Sequence, residues 1–235
     1  MRLKNKVAIV TGASSGIGRC IAELFAREGA IVILVARNMG ALQLVEHMLR
    51  KQGKKAESMV MNVSDREEVS KGIKLIAAKY GKIDILVNDA GVAKWGSIQE
   101  VTYRDFDEHI KVNVYGYFNL IKETVPYMLR KKTGCIINII SGSGQRARPG
   151  TVAYATSKFA ARGLSDAVFE DLKDKGINVT AISPGKTNTP IHKLAPDAPE
   201  RKKMLDPHEV AKLALYVACL PSQVKMKDVS IRPLE

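Results

Sequence analysis

Apolar and polar positions follow two different periods along this chain. Short apolar runs rich in β-branched residues predict strands, and longer stretches with apolar residues every three or four positions predict helices. The predicted strands are 6–11, 31–36, 57–62, 83–88, 134–141, 178–183 and 228–232. The predicted helices are 16–28, 39–52, 66–80, 103–131, 152–175 and 207–220. Because strands and helices alternate, the sequence predicts an α/β fold, a single-domain doubly wound sheet of about seven parallel strands with helices on both faces.

A glycine-rich turn joins the first predicted strand to the first predicted helix. Gly12, Gly16 and Gly18 follow the strand in the spacing G-x-x-x-G-x-G. Such a turn lets the backbone approach a phosphate, and the helix N-terminus adds N–H groups and the positive end of a dipole. The turn therefore predicts a dinucleotide site, and the alternative is a tight turn without a ligand. The residues predicted to contact the cofactor here are Gly12, Ser14, Ser15, Gly16, Ile17 and Gly18.

The end of the second predicted strand favours NADP (NADPH) over NAD. An acidic residue that would hold the ribose hydroxyl of NAD is absent, because Ala36 stands there and Arg37 follows. Ala36 adds no charge that would repel a 2′-phosphate, and the guanidinium of Arg37 matches one. Ser14 and Ser15 would add hydroxyl donors to the same phosphate. The alternative is that Arg37 is a solvated surface arginine.

Tyr154 and Lys158 stand four residues apart in an alanine-rich segment free of Gly and Pro, which predicts a helix. Positions i and i+4 share a helix face, so the phenol and the ammonium are expected side by side. A phenol has a pKa of about 10, and a nearby cation would favour the phenolate only in a partly dry site with further positive charge. The pair predicts a proton-transfer group, and the alternative is a chance spacing. Ser141 ends a predicted buried strand, at the edge where ligands of open α/β sheets bind.

These residues, with Thr11–Gly18 and the run Asn88-Asp89-Ala90-Gly91, resemble the short-chain dehydrogenase/reductase family over nearly the whole chain. The resemblance implies one dinucleotide-binding oxidoreductase domain over 1–235. It also implies an NADP-dependent enzyme that interconverts a carbonyl compound, which is a ketone or an aldehyde, and an alcohol. The reaction would be a hydride transfer, with a tyrosine as general acid/base. The substrate would be a small molecule of unidentified structure. A non-catalytic NADP-binding sensor or regulatory protein on the same fold is the alternative.

The resemblance also assigns roles to individual residues. It implies catalytic roles for Tyr154, Lys158, Ser141 and Asn113, the last anchoring a water relay. The further cofactor contacts that it implies are Asn62, Val63, Asn88, Ala90, Gly91, Tyr154, Lys158, Pro184, Gly185, Thr187 and Thr189. The substrate contacts that it implies are Ser141, Ser143, Gln145 and Tyr154. Asp89 stands where the family has a second asparagine, and Asn62 where it has an acid.

The segment 186–206 is rich in Pro and charge, which predicts a lid over the substrate. Lys186, His192, Arg146 and Arg148 would surround the mouth of the site. They suggest an anionic substrate, and the alternative is solvated surface charge. A homodimer or homotetramer is expected, and the helices 103–131 and 152–175 would form the interface of the dimer.

Charge and cysteine usage exclude several other classes. The formal net charge is +13, but the cations are spread along the chain at helix ends and in loops, so no nucleic-acid partner is expected. A basic nucleic-acid-binding protein, with affinity steeply dependent on salt, is the alternative. No apolar run reaches membrane-spanning length, so no membrane association is expected. Cys20, Cys135 and Cys219 predict reduced thiols and a cytoplasmic location, and their spacing predicts no metal site.

Overall fold

Seven parallel strands form one sheet in the computed structural model, which describes residues 1–191, 201–221 and 223–234. The strands are β1 Val7–Thr11, β2 Ile31–Ala36, β3 Lys55–Val60, β4 Ile85–Asn88, β5 Gly134–Ile139, β6 Ile177–Pro184 and β7 Asp228–Ile231. Their order in the sheet is β3-β2-β1-β4-β5-β6-β7. The predicted doubly wound α/β architecture is therefore confirmed.

Helices cover both faces of this sheet. They are α1 Gly16–Arg27, α2 Met39–Lys51, α3 Arg66–Tyr80, α4 Tyr103–Ile110, α5 Gly116–Lys131, α6 Val152–Leu172 and α7 Pro207–Ala218. The apolar residues of α1, α2 and α7 bury one face, and those of α3, α5 and α6 bury the other. Ala8 and Val10 of β1 belong to the first core, whereas Val7 and Ile9 belong to the second, as the period of two requires.

The single helix predicted over 103–131 is two helices in the structure. A π-helical turn, Lys111–Tyr115, separates α4 from α5. The side chain of Asn113 lies inside this turn and hydrogen-bonds the backbone of Val92 in both directions. An asparagine that bonds a distant backbone segment disturbs the regular i to i−4 ladder, which accounts for the extra residue in the turn.

Strand β3 lies about two residues earlier than the predicted 57–62. The side-chain oxygen of Asn62 accepts hydrogen bonds from the backbone N–H (3.2 Å) and the hydroxyl (2.8 Å) of Ser64. This local turn takes the chain out of the sheet after Val60. Asn62 is thereby placed in the loop beyond the strand, where it faces the ligand edge of the sheet.

The position of the site follows from the strand order. Strand β1 lies between β2 and β4, so successive connections run in opposite directions on its two sides. The loops after β1 and β4 therefore diverge and leave a crevice at the carboxyl edge of the sheet. The segments that follow β2, β3, β5, β6 and β7 begin at the same edge, because all the strands are parallel.

The predicted lid lies partly outside the described residues, because 192–200, including His192, are not among them. The two ends of the segment are joined. Thr187 forms an isolated bridge with Leu205, and the N–H of Leu205 donates to the carbonyl of Lys186 (2.8 Å). Leu205 itself is buried in the core that α7 covers. The lid stays a prediction, attached at a fixed base.

Among the helices of residues 1–191, 201–221 and 223–234, none combines the length and the hydropathy that crossing a bilayer requires.

Candidate active site

A cleft of about 350 Å³ opens at the divergence of the β1 and β4 loops. It is lined by most of the predicted cofactor residues: Gly12, Ser14, Ser15, Gly16, Ile17, Arg37, Asn62, Val63, Ala90, Gly91 and Thr189. Gly12 and Gly16 adopt φ values of +67° and +57°, which L-residues with a side chain rarely adopt. The glycine-rich turn is thus fixed in the conformation that exposes its backbone to the cleft.

The N-terminus of α1 has the features of an anion site. Ser15 is its N-cap residue, and its side chain makes no capping hydrogen bond. Gly16 and Ile17, the first residues of the helix, line the cleft. N–H groups at a helix start and the positive end of its dipole favour a phosphate at this position.

The far end of the cleft presents a cation and an amide group. Arg37 is exposed, lines the cleft and forms no ion pair with any carboxylate in the part of the chain that the structure describes. Asn62 also lines the cleft, and since Ser64 occupies its oxygen, its amide nitrogen is the group that remains for a base.

A smaller cavity of about 60 Å³ adjoins the cleft and contains the predicted proton-transfer residues. Ser141, Tyr154 and Lys158 share its wall with Pro184, Gly185, Thr187 and Thr189 from the loop after β6. Gly91 and Ile17 line both cavities, so the two spaces are adjacent. Residues far apart in sequence therefore meet at one pocket, which we call the reaction pocket.

Tyr154 is enclosed by aromatic side chains. The ring of Trp95 meets it edge-on with centroids 5.1 Å apart, and the ring of His109 lies at 6.3 Å. The imidazole of His109 is fully buried, and its Nε2 accepts from the backbone N–H of Lys94 (3.0 Å). Its Nδ1 therefore carries the proton and donates to the carbonyl of Asp105 (2.6 Å), so this histidine holds the Trp95 loop in place.

The protonation of Tyr154 follows from its surroundings. Burial raises the pKa of Tyr154 above its ordinary value, and the charge of Asp89 raises it further, whereas the Ser141 hydroxyl lowers it. Lys158 is not among the groups that lower this pKa, so a phenolate at this position needs the further positive charge that the sequence-based expectation included. In the protein alone, the phenol keeps its proton because desolvation disfavours the anion.

Lys158 is buried and is bound away from the Tyr154 hydroxyl. Its Nζ donates to the carbonyl of Ile139 (3.1 Å) and lies 3.5 Å from the hydroxyl of Tyr117. It lies 5.9 Å from the centre of the Tyr154 ring. Burial lowers the pKa of Lys158 to about 8, against the attraction of Asp89. Tyr117, which the sequence analysis did not identify, completes this arrangement by donating to Ile139 (2.7 Å).

Asp89 is the ionisable group that the sequence left unexplained. Its Oδ2 accepts from the backbone N–H of Gly18 (2.7 Å), in the first turn of α1, and it lines both the cleft and the reaction pocket. Burial raises the pKa of this carboxyl to about 7, while Lys158 and the Gly18 N–H act in the opposite direction. The departure at position 89 thus adds an acid beside the lysine.

Asn113 is fully buried and lies behind the pocket wall. Its oxygen accepts from the N–H of Val92 (2.8 Å), and its nitrogen donates to the Val92 carbonyl (3.0 Å) and to Ser157 (2.9 Å). Both of its N–H groups are used, so one oxygen lone pair is left for a water. Its role in a relay stays a prediction.

Some predicted site residues lie outside both cavities. Asn88 is fully buried and donates to Asn138 (2.8 Å), which ties β4 to β5. Gly18 offers its N–H to Asp89, as described above. Ser143 donates its N–H to the hydroxyl oxygen of Ser141 (3.1 Å), which leaves the Ser141 proton directed to other acceptors. Gln145 bonds Ser230 (2.8 Å) and receives Arg232 (3.1 Å) at the rim of the pocket.

Known proteins share this arrangement. Residues 6–199 match the family described as short chain dehydrogenase. An uncharacterized oxidoreductase of Staphylococcus saprophyticus is 37% identical over 236 residues, with 100% of both chains covered. An alcohol dehydrogenase from the archaeon Thermococcus sibiricus, solved with 5-hydroxy-NADP, superimposes with a TM-score of 0.90 at 29% identity, covering 98% of this chain and 97% of that one. A metagenomic short-chain oxidoreductase solved with NADP gives 0.88 at 30% identity, with 100% of both chains covered.

The sheet order, the glycine-rich cleft and the matched residues agree with one another. The chain belongs to the short-chain dehydrogenase family and is an oxidoreductase of that family.

Proposed function

We propose that this protein is an NADP(H)-dependent oxidoreductase. It interconverts a carbonyl compound, which is a ketone or an aldehyde, and the corresponding alcohol. The observation that carries the proposal is the meeting of Ser141, Tyr154 and Lys158 in a pocket adjacent to the glycine-rich cleft. Two similar structures are named as complexes with NADP or a derivative of it, which supports the same choice of cofactor.

The cleft fits this cofactor residue by residue. The first turn of α1, with Gly16 and Ile17, would hold the pyrophosphate, and Arg37 would pair with the 2′-phosphate. Thr187 and Thr189 stand at the junction with the reaction pocket and would hold the nicotinamide end. NADPH, when bound, supplies the hydride.

The chain's own residues supply and direct the proton. In reduction, Tyr154 donates the phenolic proton to the substrate oxygen, for which its raised pKa keeps it protonated at neutral pH. Ser141 donates a hydrogen bond to the same oxygen and stabilises the charge that develops there. Lys158 brings a positive charge to the pocket and restores the proton of Tyr154, while Asn113 anchors the water relay from behind the wall.

The proposal is tested by Tyr154→Phe. Loss of a general acid typically lowers the rate by a factor of about 10² to 10⁴, so we expect kcat to fall in that range. The Kd for NADPH, measured by fluorescence titration, should stay within about twofold. Tyr115→Phe, at an exposed position on the π-helical turn, is the matched control and should keep full activity.

Full activity in Tyr154→Phe would remove the assigned role. NADPH binding by the unaltered protein without turnover over a broad panel of ketones and aldehydes would instead favour the non-catalytic sensor.

We also propose a homodimer or homotetramer and a cytoplasmic location. Phe118 and Phe159 are each nearly half exposed on α5 and α6, which leaves apolar surface that a second copy would cover. Light scattering of the purified protein tests the first proposal, and a monomer would contradict it. Cys20 and Cys135 are free thiols whose pKa values burial raises to about 11 and about 12, so they suit a reducing compartment.

A further inference from the structure

The last strand carries an arginine beside two loops that contribute residues to the reaction pocket. Strand β7 pairs with β6 in the register Pro184 to Ile231, so Arg232 is the first residue beyond the carboxyl edge of the sheet. Ser141 occupies the corresponding edge after β5. Parallel strands end at one edge, which places the guanidinium group next to the loops that line the pocket.

Close contacts fix where the Arg232 side chain lies. A Cβ atom placed on Gly142 would be 3.8 Å and 3.9 Å from its two terminal nitrogens, so the guanidinium rests against the residue that follows Ser141. A Cβ atom on Gly185 would be 3.4 Å from its Cα and its Cγ. The stem of Arg232 therefore covers a glycine of the pocket wall, and its charged end points to the Ser141 loop.

A polar partner holds this guanidinium without neutralising it. Nη2 of Arg232 donates to Oε1 of Gln145 (3.1 Å), and Nε2 of Gln145 donates to the hydroxyl of Ser230 (2.8 Å). Over residues 1–191, 201–221 and 223–234, Arg232 makes no ion pair with a carboxylate. An oriented and unneutralised guanidinium has donors left for a planar or tetrahedral oxyanion.

The surrounding loops have one sign of charge. The segments 141–150, 184–191 and 229–234 together contain Arg146, Arg148, Lys186 and Arg232, and no Asp or Glu. Arg146 and Arg148 are exposed on the same loop as Gln145. Asp228, which precedes the 229–234 segment, is already paired with Arg162 (2.9 Å) on α6. Within these described segments, the exposed cations Arg146 and Arg232 favour a negatively charged ligand.

We propose that Arg232 binds an oxyanion, a carboxylate or a phosphate, carried by the carbonyl substrate, and that Gln145 is the residue that positions its guanidinium. The inference rests on the proposed oxidoreductase function and adds the substrate class. The anionic group would lie within a few bonds of the carbonyl carbon, because the guanidinium lies beside Gly142, the residue next to Ser141.

The test compares charged substrates with neutral counterparts under saturating NADPH. One arm uses 2-, 3- and 4-oxo acids against their methyl esters, and the other uses dihydroxyacetone phosphate against dihydroxyacetone. We expect kcat/KM for the charged member of one arm to exceed that of the neutral member by about 10- to 100-fold. The arm that shows the preference identifies the oxyanion.

Two variants then assign the preference to Arg232. Arg232→Gln should reduce the charged-to-neutral ratio to near 1, mainly through KM for the charged substrate. Gln145→Glu should also reduce the ratio, since the introduced carboxylate would pair with Arg232 in place of the substrate. Arg27→Gln, which removes the same charge at an exposed site at the end of α1, should keep the ratio. Thermal unfolding and the Kd for NADPH verify that each variant is folded.

The outcomes separate the two proposals. If neutral and charged ketones are reduced equally well, or if Arg232→Gln keeps the charge preference, the assignment of Arg232 is wrong and the oxidoreductase proposal stands. If the folded, NADPH-binding protein reduces neither the compounds of these two arms nor any of a broad panel of ketones and aldehydes, the proposed function fails and the substrate class fails with it.

Discussion

Replacement of the buried acid beside Lys158, Asp89→Asn, should change how the stability of the protein depends on pH. The carboxyl lies against the first turn of α1, where it accepts the N–H of Gly18. An amide oxygen can accept the same hydrogen bond. The variant therefore removes the titration of Asp89 and keeps the contact with the turn.

The magnitude follows from the shift of the Asp89 pKa from 3.8 to about 7. Between these values the folded protein holds a proton that the unfolded chain has released. The free energy of unfolding therefore falls as pH rises from about 4 to about 7, and the loss is constant above that range. A difference of about 3 units corresponds to about 4 kcal/mol. Because Lys158 loses its counter-charge in the variant, we expect a net gain of about 1–3 kcal/mol above pH 7.

Chemical denaturation of the cofactor-free protein between pH 4 and pH 8 measures this effect. The variant should be more stable than the unaltered protein at pH 8 and should lose the advantage at pH 4. Asp107→Asn, at an exposed position on α4, is the matched control and should follow the unaltered protein. If Asp89→Asn and the unaltered protein have the same pH dependence, Asp89 is not the raised carboxyl that the geometry indicates.

Three further predictions concern the binding of the cofactor, the pH dependence of the reaction and the stability of the protein. Arg37→Ala should raise the Kd for NADPH about 10- to 100-fold and leave that for NADH within about twofold, because a charge-assisted hydrogen bond to the 2′-phosphate is lost; equal effects on both would contradict the assignment. The rate of carbonyl reduction should fall as pH rises through about 8, where the buried Lys158 loses its proton. An active Lys158→Arg variant should not show this decrease, because arginine keeps its proton. Asn113→Ala should lower the free energy of unfolding by about 2–4 kcal/mol, because the backbone groups of Val92 are left buried without partners.

The sequence was sufficient for the architecture because each element carries its own periodic signal. The apolar run of strand β1 and the amphipathic pattern of helix α1 are each visible within a window of about ten residues. The π-helical turn at Asn113 was not predictable in this way, because its cause is a hydrogen bond to Val92, twenty-one residues away. The same limit applied to β3, whose end depends on the local turn at Asn62.

The site was predictable only as far as its residues belong to short motifs. The glycine-rich turn and the Tyr154 and Lys158 pair are local patterns, and the structure brings them to adjacent cavities. Arg232 reaches the same place through the pairing of β7 with β6, which no short motif encodes. The pKa of Tyr154 depends on burial and on Asp89, so the protonation state followed from the packing and not from the spacing of two residues.

The paired ends of the loop after β6 have a consequence for how this protein can diversify. Thr187 and Leu205 are paired in a β-bridge, so the chain is fixed at both ends of this interval. Insertions or exchanges after Ile191 need not displace β6 or α7, since both ends are already fixed. Laboratory evolution directed to that part of the predicted lid can therefore be carried out while Thr189 and Ile191, which line the cleft, are kept.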